Sequence, residues 1–139
     1  MEDWKRVIVA GNQAFQCGEN AKAADYYQEA SDIALEMIDC WYDTEAAINA
    51  LVVSDLNLAE TQCRLEQFEQ AIDTYASLSL ALRKFQCSFA PSNPIVGIVA
   101  RSLTQIKQEF LTLTKVYAYD ILAIPRAKAA PHSLLDCAT

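Results

Sequence analysis

Residues 10–30 read AGNQAFQCGENAKAADYYQEA, and this stretch decides the fold. Small and aromatic residues flank a break at residues 18–20: Gly11 and Ala14 before it, and Ala23, Tyr27 and Ala30 after it. Spacings of three and four place side chains on one face of an α-helix. Small residues let two helix axes approach closely, and an aromatic ring fills the groove beside them. The stretch therefore predicts two closely packed helices.

A related pattern follows later in the chain. Leu58-Ala59-x-x-Gln62 precedes Phe68-x-x-Ala71-x-x-x-Tyr75-x-x-Leu78, and Ala71 lies 48 positions after Ala23. Together the two segments resemble the tetratricopeptide repeat, in which a small residue on the first helix faces an Ala-x-x-x-aromatic-x-x-Ala seam on the second. The family's period is ~34 residues, and Leu35 replaces the proline that ends the usual repeat. The resemblance covers about residues 7–82 and implies a long-helix variant with about two and a half repeats.

Breaks in the apolar periodicity predict five helices, at about residues 3–17, 20–42, 44–64, 67–88 and 94–123. Thr44 is an expected N-cap, and Asn93 and Pro94 are an expected cap and first helical residue. The third helix is apolar on more than one face, which is typical of a buried helix. We expect an all-α fold of tetratricopeptide-like antiparallel hairpins forming an α-α superhelix. Residues 1–124 are predicted to be one domain and residues 125–139 a loosely ordered tail.

Composition excludes several classes of protein. The chain has 139 residues, a net charge of −7, 53% apolar residues, and only three glycines and four prolines. Few turn residues argue against an all-β fold, and the apolar fraction argues against disorder. The acidity argues against nucleic-acid binding. No apolar run approaches the ~20 residues of a membrane span, and the N-terminus lacks a signal-peptide pattern. We expect a cytoplasmic protein that binds neither membrane nor nucleic acid.

Metal and enzyme chemistry have little support in the sequence. The five cysteines form no Cys-x-x-Cys pair, and His132 is the single histidine. We expect reduced, buried thiols, with no metal and no cofactor. His132, Asp136 and Cys137 lie close together, but an alanine-rich tail would not hold them in catalytic register. We therefore predict no catalytic residues and no enzyme activity.

An acidic stripe marks the second helix. Carboxylates recur there at alternating steps of four and three residues: Asp25, Glu29, Asp32, Glu36, Asp39 and Asp43. Like charges at this spacing cost ~0.2–0.5 kcal/mol per pair. The stripe is either a docking surface for a basic partner or the solvated outer face of a helix that packs through Tyr27, Ala30, Ala34, Ile38 and Trp41.

The resemblance also implies a concave groove lined by the first helices of successive repeats. The residues expected there are Asn12, Gln16, Asn57, Glu60, Arg64, Arg101 and Gln105. Asn12 and Asn57 fall at asparagine positions that grip a carboxylate in some family members, but Ile8 replaces the first basic residue of that clamp. Mixed contacts with a partner helix or extended peptide are therefore favoured.

Two functions follow as expectations. The first is a non-catalytic protein–protein interaction module, an adaptor or small chaperone, that binds a partner in the groove. The second is a self-associating structural protein, a homodimer. An apolar excess suggests the second, since these residues would not all fit inside five helices: Trp4, Trp41, Tyr42, Phe89 and Ile98.

Overall fold

Helices account for nearly all of the computed structural model, which describes residues 1–122. They are α1 (Glu2–Gln16), α2 (Asn20–Cys40), α3 (Thr44–Arg64), α4 (Phe68–Gln86), α5 (Pro94–Val116) and α6 (Ala118–Leu122). Residues 1–122 contain no strand, so the all-α prediction is confirmed. The tail predicted at 125–139, with His132, lies outside the described residues.

The last helix differs from its prediction. Instead of one helix over residues 94–123, α5 ends at Val116, and Tyr117 leaves helical geometry before α6 begins. Near this end the Thr112 and Thr114 hydroxyls donate to the carbonyls four residues earlier, a contact that tends to bend helices. The Tyr117 ring packs on Phe68 with centroids 5.5 Å apart. The break lets the chain turn while Tyr117 remains packed.

The chain forms two compact units, Met1–Gln67 and a second that begins at Phe68. In the first, α1 and α3 both pack against α2. A core cluster contains Val7, Ile8, Ala14, Ala23, Tyr27, Ala30 and Leu58. Eleven residues of α3 are buried, as its broad apolar surface predicts. The small and aromatic residues of 10–30 therefore pack as the sequence indicates.

The second unit is held by aromatic contacts and by caps. α4 packs on α5, and α6 contacts both. The Tyr75 ring meets the Phe110 ring edge-on, with centroids 5.1 Å apart. Asn93 accepts a hydrogen bond from the Ile95 backbone N–H, and Pro94 opens α5. Both features of this helix start were predicted.

Two turns of the first unit share one geometry. After α1, Gly18 has φ +76°, its N–H donates to Phe15, and the Glu19 N–H donates to Ala14 at 2.9 Å. After α3, Glu66 has φ +61°, and the N–H of Gln67 donates to Gln62 at 2.8 Å. This is the Schellman pattern, in which a left-handed residue ends the helix. The 48-residue shift seen in the sequence therefore relates the two turns as well.

No helix between residues 1 and 122 is both long enough and apolar enough to cross a membrane.

Replacing Gly11 with alanine tests the close approach of α1 and α2. A Cβ at Gly11 would lie 2.8 Å from Tyr27 Cε1, whereas one at Gly97 on α5 would meet nothing closer than 3.9 Å. Both variants gain up to about 1 kcal/mol of helix propensity, but crowding costs typically about 1–3 kcal/mol. We expect Gly97→Ala to raise the free energy of unfolding above that of the wild type. Gly11→Ala should have a lower free energy of unfolding than Gly97→Ala, and the difference should equal the crowding cost. Urea unfolding measures both, and equal free energies of unfolding would contradict the contact.

Candidate functional site

Tyr27 links the core of the first unit to its surface. Its side chain is 2% exposed, yet its hydroxyl donates a hydrogen bond to Oδ1 of the exposed Asn12 at 2.7 Å. Because Oδ1 of Asn12 accepts this bond, the amide presents its Nδ2 donors to other groups. A buried ring therefore orients a surface amide.

Arg64, on α3, packs beside Tyr27 by stacking on a ring of α1. Its guanidinium carbon lies 3.8 Å from the centroid of the Phe15 ring on α1. Stacking of this kind is a cation–π contact, and it leaves the N–H groups at the edge of the guanidinium for other partners. The Phe15 and Tyr27 rings are themselves 6.4 Å apart. The two helices thus place an amide and a guanidinium around one aromatic pair.

Glu60 adds a negative charge to this neighbourhood. Burial and the Glu60 carboxylate raise the pKa of Tyr27, while Arg64 lowers it. Burial, and secondarily Glu60, raise the pKa of the Cys63 thiol to about 12. The phenol and the thiol therefore stay protonated at neutral pH. Asn12, Phe15, Gln16, Asn57, Glu60 and Arg64 are called the α1–α3 face below.

The predicted groove residues fall into two groups. Asn12, Glu60 and Arg64 lie around Tyr27. Gln16 lies on α1, four residues after Asn12, and Asn57 lies on α3, three residues before Glu60. Arg101 and Gln105 are exposed on α5, in the second unit.

The structure adds to the differences from the carboxylate clamp that some tetratricopeptide repeats carry. The 48-residue shift that relates the two turns pairs Asn12 with Glu60, three residues after Asn57. Ile8, at the position of the basic residue, is buried in the core cluster. The face therefore carries charges of both signs.

The acidic stripe is exposed along its whole length. The five carboxylates from Asp25 to Asp39 lie at the surface of α2, and Asp43 is exposed beyond its end, because α2 stops at Cys40. Tyr27, Ala30, Ala34 and Ile38 are buried, and Trp41 is half-buried. Asp43 Oδ1 accepts a hydrogen bond from the Ala46 backbone N–H at 3.0 Å, so Asp43, rather than Thr44, is the cap of α3. Exposure suits both interpretations of the stripe, and the docking interpretation stays a prediction.

A cleft adjoins the last residue of the stripe. It is an open cleft of about 660 Å³ where α1 begins, α2 ends and α3 begins. Trp41, Tyr42 and Asp43 line one part of it, and Glu2, Asp3 and Lys5 line another. From the sequence, Trp41 was expected on the packing face of the second helix, and both aromatic residues were counted in the apolar excess. The signal that sequence reasoning passed over is an aromatic pair directly before a carboxylate.

Asp55 is a second feature that sequence reasoning missed. It is 9% exposed on α3, and its side chain is hydrogen-bonded to that of Ser31 on α2. Burial raises the pKa of Asp55 to about 6; the Ser31 hydrogen bond opposes this shift, and the charge of Asp32 adds to it. An aspartate inside the apolar run of α3 was the available signal.

The prediction that the cysteines are buried is wrong for three of the four described thiols, all four of which are free. Cys63 is buried, but Cys17, Cys40 and Cys87 are exposed. The exposed thiols lie at helix ends, Cys40 closing α2 and the other two following α1 and α4 directly. Side chains at helix ends border turns, which run over the surface. Cys137 lies outside the described residues.

Most of the residues predicted as an apolar excess are partly buried in the structure. Trp4 is half-buried, and its indole N–H donates to Ser54 Oγ at 2.8 Å. Phe89 and Ile98 are also half-buried, and Tyr42 is 88% exposed. Other large apolar side chains stand at the surface instead: Val9, Leu35, Leu80, Val116 and Tyr119.

A family model described as "Protein of unknown function (DUF2753)" matches residues 2–130. The chain belongs to the DUF2753 family. That match takes in the six helices that the structure describes between residues 2 and 122 of the DUF2753 chain. Neither a curated protein nor a solved structure matches it.

Asp55 makes the stability of the protein depend on pH. Its folded pKa of about 6 lies above its unfolded value of 3.8, so the proton stabilises the fold at low pH. This contribution is complete below about pH 4 and is lost as pH rises through 6. Urea unfolding of wild type and Asp55→Asn at pH 5 and pH 7 measures it. The wild type should lose about 1 kcal/mol relative to Asp55→Asn between these values.

Asp39→Asn on the exposed stripe is the matched control. Its difference from wild type should change little over the same interval. An Asp55→Asn difference that stays constant between pH 5 and pH 7 would show that Asp55 is charged throughout.

Proposed function

We propose that this DUF2753 protein is a non-catalytic protein–protein interaction module that binds a peptide or helix of another protein on the α1–α3 face. It would act as an adaptor, scaffold or small chaperone. The observation that supports this most directly is the fixing of Asn12 by the buried Tyr27 hydroxyl. A polar group held in place before binding loses less entropy when a partner arrives.

The chemistry of the face suits a peptide. Asn12 offers amide donors, Arg64 offers guanidinium donors, and Glu60 offers acceptors. A peptide backbone presents both donors and acceptors, so mixed groups on two neighbouring helices can satisfy it. The tetratricopeptide resemblance supports the same surface, because α1 and α3 correspond to the first helices of the two hairpins.

Other observations support the absence of catalysis and the class of partner. Tyr27 and Cys63, the two titratable groups beside the face with resolved shifts, have pKa values raised away from neutrality. Because a raised pKa keeps both groups protonated at neutral pH, neither is activated as a base or nucleophile. The net charge of −7 favours protein partners over nucleic acid. A cytoplasmic location belongs to the same proposal.

Two substitutions on the face test this function. Asn12→Asp keeps the oxygen that accepts the Tyr27 hydroxyl and removes the amide donors. Arg64→Gln removes the charge, and Arg6→Gln, at an exposed position elsewhere on α1, is the control. Peptides selected from a random library by the wild type are titrated calorimetrically with each variant. The two face variants should weaken binding about fivefold to tenfold, with Arg6→Gln unchanged.

Unchanged affinity in both face variants would remove the α1–α3 face from the proposal. A library that yields no peptide above background would remove the interaction module itself. Thermal unfolding of each variant shows whether a loss of affinity comes from a loss of folded protein.

Self-association is a second candidate, favoured by the exposed apolar side chains. Val9 and Leu35 in the first unit and Val116 and Tyr119 in the second expose most or half of their surface. Covering such side chains in a dimer contributes about 25 cal/mol per Å² of apolar area, from which the entropic cost of association is subtracted. Analytical ultracentrifugation over a dilution series from high to low micromolar should then show a dimer that dissociates. The monomer mass at every concentration would contradict it.

A further inference from the structure

The cleft between the ends of three helices has a wall of two aromatic rings. Trp41 is half-buried, while Tyr42 is 88% exposed, and their ring centroids are 5.0 Å apart with planes tilted by 35°. Most of the Tyr42 ring remains in water, so its face is open to a partner. A ring face in such a position attracts cations.

The charges around the rings are negative on balance. Of the described residues that line the cleft, Glu2, Asp3 and Asp43 carry carboxylates, while Lys5 and the amino terminus of Met1 carry positive charges. Lys5 Nζ lies 3.8 Å from Glu2 Oε1, so these two charges offset each other. Asp3 and Asp43 together outweigh the Met1 ammonium group, and one negative charge remains.

The end of α2 adds to this negative potential. The helix terminates at Cys40, beside the cleft, and its last turn contains no basic residue. The carbonyl end of a helix carries a partial negative charge, which favours cations nearby. Asp43 caps the start of α3, and Glu2 and Asp3 stand in the first turn of α1, so carboxylates offset the positive ends of both helices that begin at the cleft.

We propose that the cleft binds an arginine side chain of a basic protein segment, with Trp41 and Tyr42 packing on the guanidinium plane and Asp3 and Asp43 neutralising its charge. Arginine suits this wall better than lysine, because its planar group stacks on aromatic rings. Asp43 is also the last residue of the exposed acidic stripe, so further basic residues of the same segment lie along α2. This surface is distinct from the α1–α3 face and stands independently of it.

A labelled peptide of alternating arginine and glycine tests the proposal. Fluorescence anisotropy follows its binding to the full chain, beside peptides that carry lysine or glutamate in place of arginine. The arginine peptide should bind severalfold more tightly than the lysine peptide. The glutamate peptide should not bind. Raising the ionic strength should weaken the arginine complex without abolishing the preference for arginine.

Substitutions then separate the rings from the charge. Tyr42→Ala should weaken arginine-peptide binding about threefold to tenfold. Asp43→Asn should weaken it about threefold, since asparagine caps a helix as well as aspartate but carries no charge. The matched control is Tyr119→Ala, which removes a tyrosine that is 95% exposed on α6 and outside the cleft. Its affinity should equal that of the wild type.

Three outcomes would overturn the proposal. One is a wild type that does not bind the arginine peptide, and another is equal affinity in Tyr42→Ala and Tyr119→Ala. The third is a lysine peptide that binds as tightly as arginine and is insensitive to Tyr42→Ala, which would reduce the interaction to the charge of the stripe. Circular dichroism of each variant checks folding, which the exposure of Tyr42 should leave unchanged.

Discussion

The packing of Tyr27 against Gly11 is the contact on which the first unit depends. A methyl group at Gly11 would meet the ring at 2.8 Å, so the two helices approach as closely as they do only because residue 11 has no side chain. The same ring reaches the surface through its hydroxyl, where it holds Asn12. One residue therefore sets the spacing of α1 and α2 and the orientation of a surface amide. Core packing and the proposed binding face cannot vary independently here.

Because α1 and α3 both pack on α2, the first unit presents two surfaces of different chemistry. The α1–α3 face combines an amide, a guanidinium and a carboxylate around aromatic rings. The outward side of α2 carries only carboxylates along its stripe. Burial between α2 and α3 raises the pKa of Asp55, and the charge of Asp32 on the stripe adds to this rise. The acidic surface thus influences a buried group in the seam beneath it.

Patterns that repeat along one helix were predictable from the sequence. The spacing of Ala23, Tyr27 and Ala30 predicts a buried seam, and Asn93-Pro94 predicts the start of α5; both are found. Such features depend on local geometry, which three- and four-residue spacing reports directly. The fifth helix was less predictable, because the break at Tyr117 accompanies packing on Phe68, 49 positions earlier.

Sites formed by residues of different helices could not be predicted from spacing along the sequence. The cleft requires the starts of α1 and α3 to meet the end of α2, and no spacing in the sequence reports that meeting. Arg64 was expected in the groove, but its stacking on Phe15 joins residues 49 positions apart. The prediction of buried cysteines failed for a related reason. Residue type predicts burial on average, whereas the position at a helix end decides the exposure of Cys17 and Cys40.

The length of α3 has a consequence for how partners could be held. The helix runs from Thr44 to Arg64; Ala46 lines the cleft near its first turn, and Arg64 belongs to the α1–α3 face at its last. These residues are separated by ~27 Å along one continuous helix. Two segments of a single partner, joined by a linker long enough to span that distance, would bind with an avidity that neither segment reaches alone. A partner with only one segment would occupy one end and leave the other free for a second protein.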